Sequence, residues 1–242
     1  MEEKKTRSNR DMAAKSKQAE EFPRPLVTVD VVILTLRDGA LQVLLMKRGA
    51  APYAGAWALP GGYIHPQEDA DLDAAARRIL RDKAGIETPY LEQLQGFGDA
   101  KRDPRGWTAT FAYFALVAAE TLDPRHGANA EAVAWRAATD RPKLAFDHAE
   151  ILATAVARLR SKVEYTSLPV HLLPPKFTLP DLQRVYEQIL GRDIDKSAFR
   201  KRMAEADFVE PVAGERRLAS NRPAQIYRVK RGFKTTFFDR TI

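Results

Sequence analysis

The run LVTVDVVILTL from Leu26 is apolar, β-branched and long enough for a buried strand. Asp38-Gly39 is a hairpin turn signal, and ALQVLLMKR reads as the returning strand. A Gly- and Pro-rich loop, APYAGAWALPGGYIHP, leads to LDAAARRILRDKAG, whose pattern predicts a helix ended by Gly85. Strand-like segments follow at Leu91 to Phe97, in TATFAYFALVA, and around Ala132 to Ala137. Asp147 is placed as N-cap of a further helix, HAEILATAVARLRSKVEY. The mixture predicts an α/β (α+β) domain over residues 25–163, preceded by a charged arm over 1–24.

Past Tyr165 the texture changes. SLPVHLLPPKF is proline-rich and reads as a linker or docking strand. Thr178 caps LPDLQRVYEQIL, where Leu182, Val185, Tyr186 and Ile189 fall at helical spacing and Gly191 stands as the C-cap glycine. Asp195 caps a second helix, KSAFRKRMAEA. Strand-like pieces around Phe208 to Val212 and in AQIYRVK flank the basic loop AGERRLASNRP. Helix, turn, helix and β-hairpin is the order of a winged helix-turn-helix, expected over 164–242.

Composition narrows the function. With 45% hydrophobic and 29% charged residues the 242-residue chain has globular composition, and without cysteine it has no thiolate metal site, disulfide or cysteine nucleophile. No stretch has the length and apolarity of a membrane span, and the charged first residues lack an apolar signal region, so a cytoplasmic protein with no membrane partner is expected. The net charge of +7 is unevenly placed: 22 Lys and Arg face 22 Asp and Glu up to Leu159, and 17 face 10 beyond it. A neutral first part and a basic last third point to a nucleic-acid partner for the latter. Lys196, Ser197, Arg200 and Lys201 are assigned to one exposed face of the second winged-helix helix, opposite Phe199 and Met203. Arg200 and Ser197 are expected near base edges and the lysines near phosphates, with Arg217, Asn221 and Arg222 in the wing.

The segment from Gly61-Gly62 to Ile86 resembles the Nudix box of nucleoside-diphosphate-X hydrolases: Gly, five residues, Glu, seven residues, then Arg-Glu-apolar-x-Glu-Glu-x-Gly-apolar. In such a box the glutamates share one helical face, where their oxygens bind Mg²⁺ against substrate phosphates. Gly62 and Glu68 match, as do Arg78, Leu80, Gly85 and Ile86, but nine residues separate Glu68 from Arg78. The three acid positions then hold Ile79, Asp82 and Lys83, which argues against metal-assisted hydrolysis and predicts neither a catalytic residue, a cofactor nor a metal. The surrounding residues suit an anionic nucleotide. Arg48, Arg102 and Arg105 are candidates for phosphates, Trp57 and Tyr63 for a base or ribose, and Gly61, Gly62 and Glu68 complete the candidate set.

A Nudix-like domain without its acids, the stretch KVEYTSLPVHLLPPKFTLPDLQRVYEQILG and the strand RPAQIYR together resemble the Nudix-related transcriptional regulators of the NrtR type, over about residues 25 to 233. That resemblance implies a Nudix-like α/β/α sandwich followed by a winged helix-turn-helix, in a homodimeric repressor of palindromic operators. It also implies ADP-ribose or a related nucleotide or sugar metabolite as effector, and control of NAD or related metabolism. The alternative from the same residues is a Mg-dependent Nudix pyrophosphatase with residual activity from Glu68 and Asp82 and an accessory basic domain. An RNA-binding module is disfavoured, because no strand pattern is studded with aromatics for stacking bases.

Overall fold

A computed structural model describes residues 24–88, 90–121, 130–140, 143–218, 223–239 and 242. All but the last residue of the expected arm lies outside them. The first sheet is built from β1 (Leu26–Arg37), β2 (Ala40–Arg48), β3 (Trp57–Ala58), β4 (Gly61–Tyr63), β5 (Tyr90–Asp99), β6 (Thr108–Leu116) and β7 (Ala130–Ala137). Its path is β3-β2-β1-β6-β5, with β4 against β1 and β7 against β2. Strands β1 and β6 run parallel and every other pairing is antiparallel. The β1–β2 turn puts both Asp38 and Gly39 at positive φ, 52° and 76°, as a two-residue hairpin loop of matching twist requires.

Alternation along β1 divides the core. Val29, Val31 and Ile33 face one side, where Ala75, Ala76 and Ile79 of helix α1 (Leu72–Ile79) cover them. Val32 and Leu34 face the other, against Ile151, Leu152, Ala155 and Leu159 of α2 (His148–Val163). Helix, sheet and helix therefore form the expected sandwich. Helix α1 begins at Asp71, whose carboxylate accepts from Ala74 N–H at 2.7 Å. It departs from the sequence expectation at its end, where Leu80–Ala84 form a π-helical turn closed by Gly85 at φ 63°.

The second unit carries α3 (Leu179–Leu190), α4 (Lys196–Ala206) and a three-stranded antiparallel sheet of β8 (Phe177–Thr178), β9 (Val209–Arg217) and β10 (Ala224–Val229) in the order β8-β10-β9. Thr178 and Asp181 form a capping box at the start of α3, and Gly191 ends it at φ 71°. The two units share one core: Leu182, Val185, Tyr186, Phe199 and Phe208 pack in the same cluster as Leu159 and Val163.

The proline-rich stretch expected as a linker or docking strand is instead a 3-10 turn over Leu168–Leu172, with Leu168, Pro169, Val170 and Leu172 buried. Its apolar side chains outweigh the prolines' tendency to extend. The residues after β10 hold it from outside, through Ser167 N–H to Thr236 O at 3.0 Å and Phe238 N–H to Tyr165 O at 2.8 Å. His171 lies between Tyr90 of β5 and Phe233, with ring centroids at 5.1 and 5.7 Å, and Phe233 meets Phe208 at 5.6 Å. Packed aromatic rings thus run from the large sheet to the start of the wing strand. Among the described residues no helix is long and apolar enough to cross a membrane.

Candidate functional site

A cleft of about 370 Å³ opens between the ends of β1 and β2, the β4 loop, the π-helical turn, the loop after β5 and the start of α2. Of the residues singled out from the sequence, Arg48, Gly61, Gly62, Tyr63, Arg102 and Arg105 line it. Asp30, Lys47, Lys83, Asp103, Phe146 and His148 also line it and were not chosen, being scattered along the chain until the sheet gathers them.

The floor is a buried polar network. Arg102 donates from Nε and Nη2 to the Asp147 carboxylate, both at 2.8 Å, and Nη2 lies 3.5 Å from Asp30. Burial opposes this charge, but the bonds to Asp147 more than offset it and hold the guanidinium's pKa above its ordinary value. His148 Nδ1 accepts from Leu59 N–H at 2.9 Å, which puts the ring proton on Nε2, 3.6 Å from Asp30. Burial lowers its pKa and favours neutral imidazole. Gly61 is required by close approach: a Cβ there would fall 1.9 Å from Asp30 Oδ1.

The walls are cationic and aromatic. Arg48 donates to Pro52 O at 2.8 Å and stands 4.8 Å over the Phe146 ring. Its pKa is lowered, first by desolvation and then by the charge of Arg105, as expected where cations crowd a partly shielded site. Arg105 pairs with Asp103 at 2.6 Å and donates from Nη1 to the Tyr63 hydroxyl at 2.6 Å. Tyr63 is exposed at the rim, with the Arg105 guanidinium 5.6 Å from its ring centroid.

Two candidates stand elsewhere. Trp57 is drawn into the core by its pairing with Lys47 in β3, and Arg136 covers its ring at 5.7 Å. Glu68 is 65% exposed and contacts His65 at 3.1 Å. Its neighbour Asp69, 2% exposed, takes Arg78 in two bonds of 2.7 and 2.8 Å. The bonds from Arg78 lower the Asp69 pKa from 3.8 to about 2. Asp147 also differs from expectation: it precedes α2 but caps no helix N–H, because its carboxylate is taken by Arg102.

The box helix ends in three unlike positions. Ile79 is fully buried beneath Gly62, Asp82 is turned outward to Arg81 at 3.0 Å, and Lys83 lines the cleft. Among the described residues no group of three or more His, Asp or Glu is placed to hold a metal ion.

On the second unit, Asp195 accepts from Ser197 and Ala198 N–H at 3.0 and 2.8 Å and starts α4. Phe199 packs edge-on to Tyr186 at 5.4 Å and Met203 is buried below it. This leaves Lys196, Ser197, Arg200 and Lys201 on the exposed face. Arg217 is not in the wing loop but at the end of β9, where it donates to Asp181 at 2.7 Å. Asn221 and Arg222 lie outside the described residues.

A Nudix sandwich with a charged cleft, joined through one core to a winged helix with an exposed basic helix, defines a two-unit protein of small-molecule and nucleic-acid binding type. Family models match both units, the NUDIX domain over residues 25–155 and the NrtR DNA-binding winged helix domain over residues 169–229. The chain is 46% identical over 213 residues to the ADPR responsive transcriptional repressor NtrR of Acinetobacter baylyi, spanning 87% of this chain and 84% of that protein. It superposes on Shewanella oneidensis NrtR complexed with a 27mer DNA with a TM-score of 0.81 and 35% identity, over 89% of this chain and 99% of that one. The NUDIX domain of the same Shewanella protein complexed with ADP ribose matches with a TM-score of 0.55 and 35% identity, over 62% of this chain and 97% of that one. The chain belongs to the NrtR family.

Proposed function

We propose that this protein is a DNA-binding transcriptional repressor of NAD or related nucleotide metabolism that acts as a homodimer and senses ADP-ribose or a similar metabolite in the Nudix cleft. The observation that carries the reading is the pairing of a cation-lined cleft with an exposed Lys196-Ser197-Arg200-Lys201 face on one rigidly packed chain. The residues of the box do not fit a divalent cation, because Ile79 is core, Asp82 faces Arg81 and Lys83 brings a positive charge. That donor set favours binding over hydrolysis, since the two carboxylates on which the pyrophosphatase reading rests, Glu68 and Asp82, are exposed beside His65 and Arg81 and neither lines the cleft.

Two copies of α4 across a dimer read two half-sites, so operator affinity depends on their separation. Effector in the cleft regulates binding only if it favours a dimer geometry that operator DNA does not, and DNA must then weaken effector binding by the same factor. The test is a mobility shift on a palindromic operator with and without ADP-ribose, alongside ADP-ribose titration with and without DNA. Release of DNA by ADP-ribose, with reciprocal weakening, is expected. Operator affinity indifferent to ADP-ribose, or substantial ADP-ribose hydrolysis with Mg²⁺ at micromolar protein, overturns the proposal.

A further inference from the structure

The floor of the cleft holds a carboxylate that the surrounding chain leaves without a hydrogen bond. We propose that Asp30 accepts a hydrogen bond from a hydroxyl of the ligand's terminal ribose, and that this bond separates ADP-ribose from nucleotides sharing only its adenosine diphosphate. The inference rests on the effector reading above and adds the residue that reads the sugar.

Asp30 interrupts the apolar strand β1 on the face it shares with Val32 and Leu34, where a charged group is costly to bury. Its side chain is only 7% exposed. The fold makes room for it: Gly61 is its partner across the β1–β4 pairing, and a Cβ there would fall 1.9 Å from Oδ1. Two donors approach without closing. Arg102 Nη2 stands 3.5 Å from Oδ2 and His148 Nε2 stands 3.6 Å from Oδ1, both beyond the about 2.7–2.9 Å of a charge-assisted hydrogen bond. Arg102 directs its short bonds to Asp147 instead. Among the described residues no group donates a well-formed hydrogen bond to Asp30, yet the residue lines the cleft. Buried polar groups are nearly always satisfied, so the open valences of this one belong to what the cleft takes in.

The neighbours decide which chemical group that is. A phosphate is repelled by the carboxylate, and Arg48 and Arg105 on the walls offer it a better place. An amine satisfies Asp30 but then meets two further donors. A hydroxyl suits both kinds of neighbour, giving its proton to Asp30 and accepting on its oxygen from His148 or Arg102. His148 is a donor on this side because its Nδ1 already accepts from Leu59 N–H at 2.9 Å. The adenosine ribose is common to ADP and ADP-ribose, so the hydroxyls that tell the two apart are those of the terminal ribose.

The test is calorimetric titration of the full-length chain with ADP-ribose and with the methyl diester of ADP, each in EDTA and in Mg²⁺. The methyl diester keeps the adenosine, the diphosphate and its charge but lacks the terminal ribose. Wild type is expected to prefer ADP-ribose by about tenfold or more, the usual scale for a hydrogen bond to a charged group. Asp30→Asn, which keeps the volume beside Gly61, should lose that factor for ADP-ribose and bind the methyl diester within about threefold of wild type. Its melting temperature checks the fold, and the wild-type comparison needs no variant. A wild type that binds both ligands alike, an Asp30→Asn protein that keeps the preference, or an equal loss on both ligands overturns the role of Asp30 and leaves the effector reading standing. A preference seen only in Mg²⁺ also overturns it, since a cation rather than a hydroxyl proton would then sit on the carboxylate. Failure of wild type to bind ADP-ribose in either buffer overturns the effector reading itself.

Discussion

Asp147→Asn separates two roles for Arg102, that of a hand for the ligand and that of a strut beneath it. The guanidinium is 4% exposed and makes two bonds of 2.8 Å to a carboxylate that is itself 17% exposed. Asparagine keeps the shape but removes the charge and turns one acceptor into a donor facing a donor. Arg102 is left with Asp30 at 3.5 Å as its remaining counter-charge. Breaking a buried ion pair from one side costs about 3–5 kcal/mol. Residual exposure of Asp147 and the nearby Asp30 put this case at the lower end, about 3 kcal/mol. For a chain of this size each kcal/mol moves the melting temperature by about 2–4 °C, so a fall of roughly 6–12 °C is expected by calorimetry or circular dichroism. Removing both partners, as Arg102→Met with Asp147→Leu, should recover only part of that loss, because Asp30, itself buried and 3.5 Å from Arg102, then loses its own counter-charge. A strut also predicts that Asp147→Asn weakens ADP-ribose binding no more than the loss of floor geometry demands. An Asp147→Asn protein that melts within about 2 °C of wild type would refute the reasoning, and Arg102 would then be held for the ligand alone.

Other perturbations test other parts of the molecule. Arg200→Ala should lose discrimination between operator and random duplex, whereas Lys201→Ala should weaken both alike and lower the salt slope by about 1, as read by fluorescence anisotropy across a salt series. Equal losses on both duplexes from both variants would contradict that division. The Asp69 pKa is lowered from 3.8 to about 2 by its bonds from Arg78, so the stability this pair gives is complete above about pH 4 and fades as pH falls toward 2. Asp69→Asn should flatten that acid limb in denaturant titrations, and an unchanged limb counts against the pair. Burial pushes the His171 pKa from 6.5 down to about 4. An unfolded chain therefore binds this proton first, and stability should drop by up to about 3 kcal/mol as pH falls from 6.5 to 4. His171→Phe should remove this share of the acid destabilisation and leave that of buried His148, and a variant whose stability still falls identically over this window would place the proton elsewhere.

What the sequence made legible was whatever short-range chemistry decides. The β1–β2 turn needs two residues that tolerate positive φ, and Asp38-Gly39 are such a pair. Thr178 and Asp195 cap helices because a side-chain oxygen three residues or fewer from an orphan N–H has little competition. Asp147 has the same local credentials and does otherwise, since a loop 45 residues away delivers Arg102 to it and a buried guanidinium outbids a backbone N–H. Glu68 and Asp69 show the same limit over a single residue. Spacing favours the glutamate, but the loop after β4 turns the aspartate inward and Arg78 takes it. The cleft's most distinctive members were invisible for a related reason. Asp30, Asp103 and His148 become neighbours only when a parallel β1–β6 pairing and the start of α2 close around them. Lys83 is the intermediate case. The altered box spacing marked it as a cation in an acid's position, yet its place on the cleft depends on a π-helical turn that no apolar periodicity announces. A lost acid can leave a merely blunted enzyme site. A lysine lining the cleft at an acid's position changes the charge offered there from negative to positive, the sign that suits an anionic ligand.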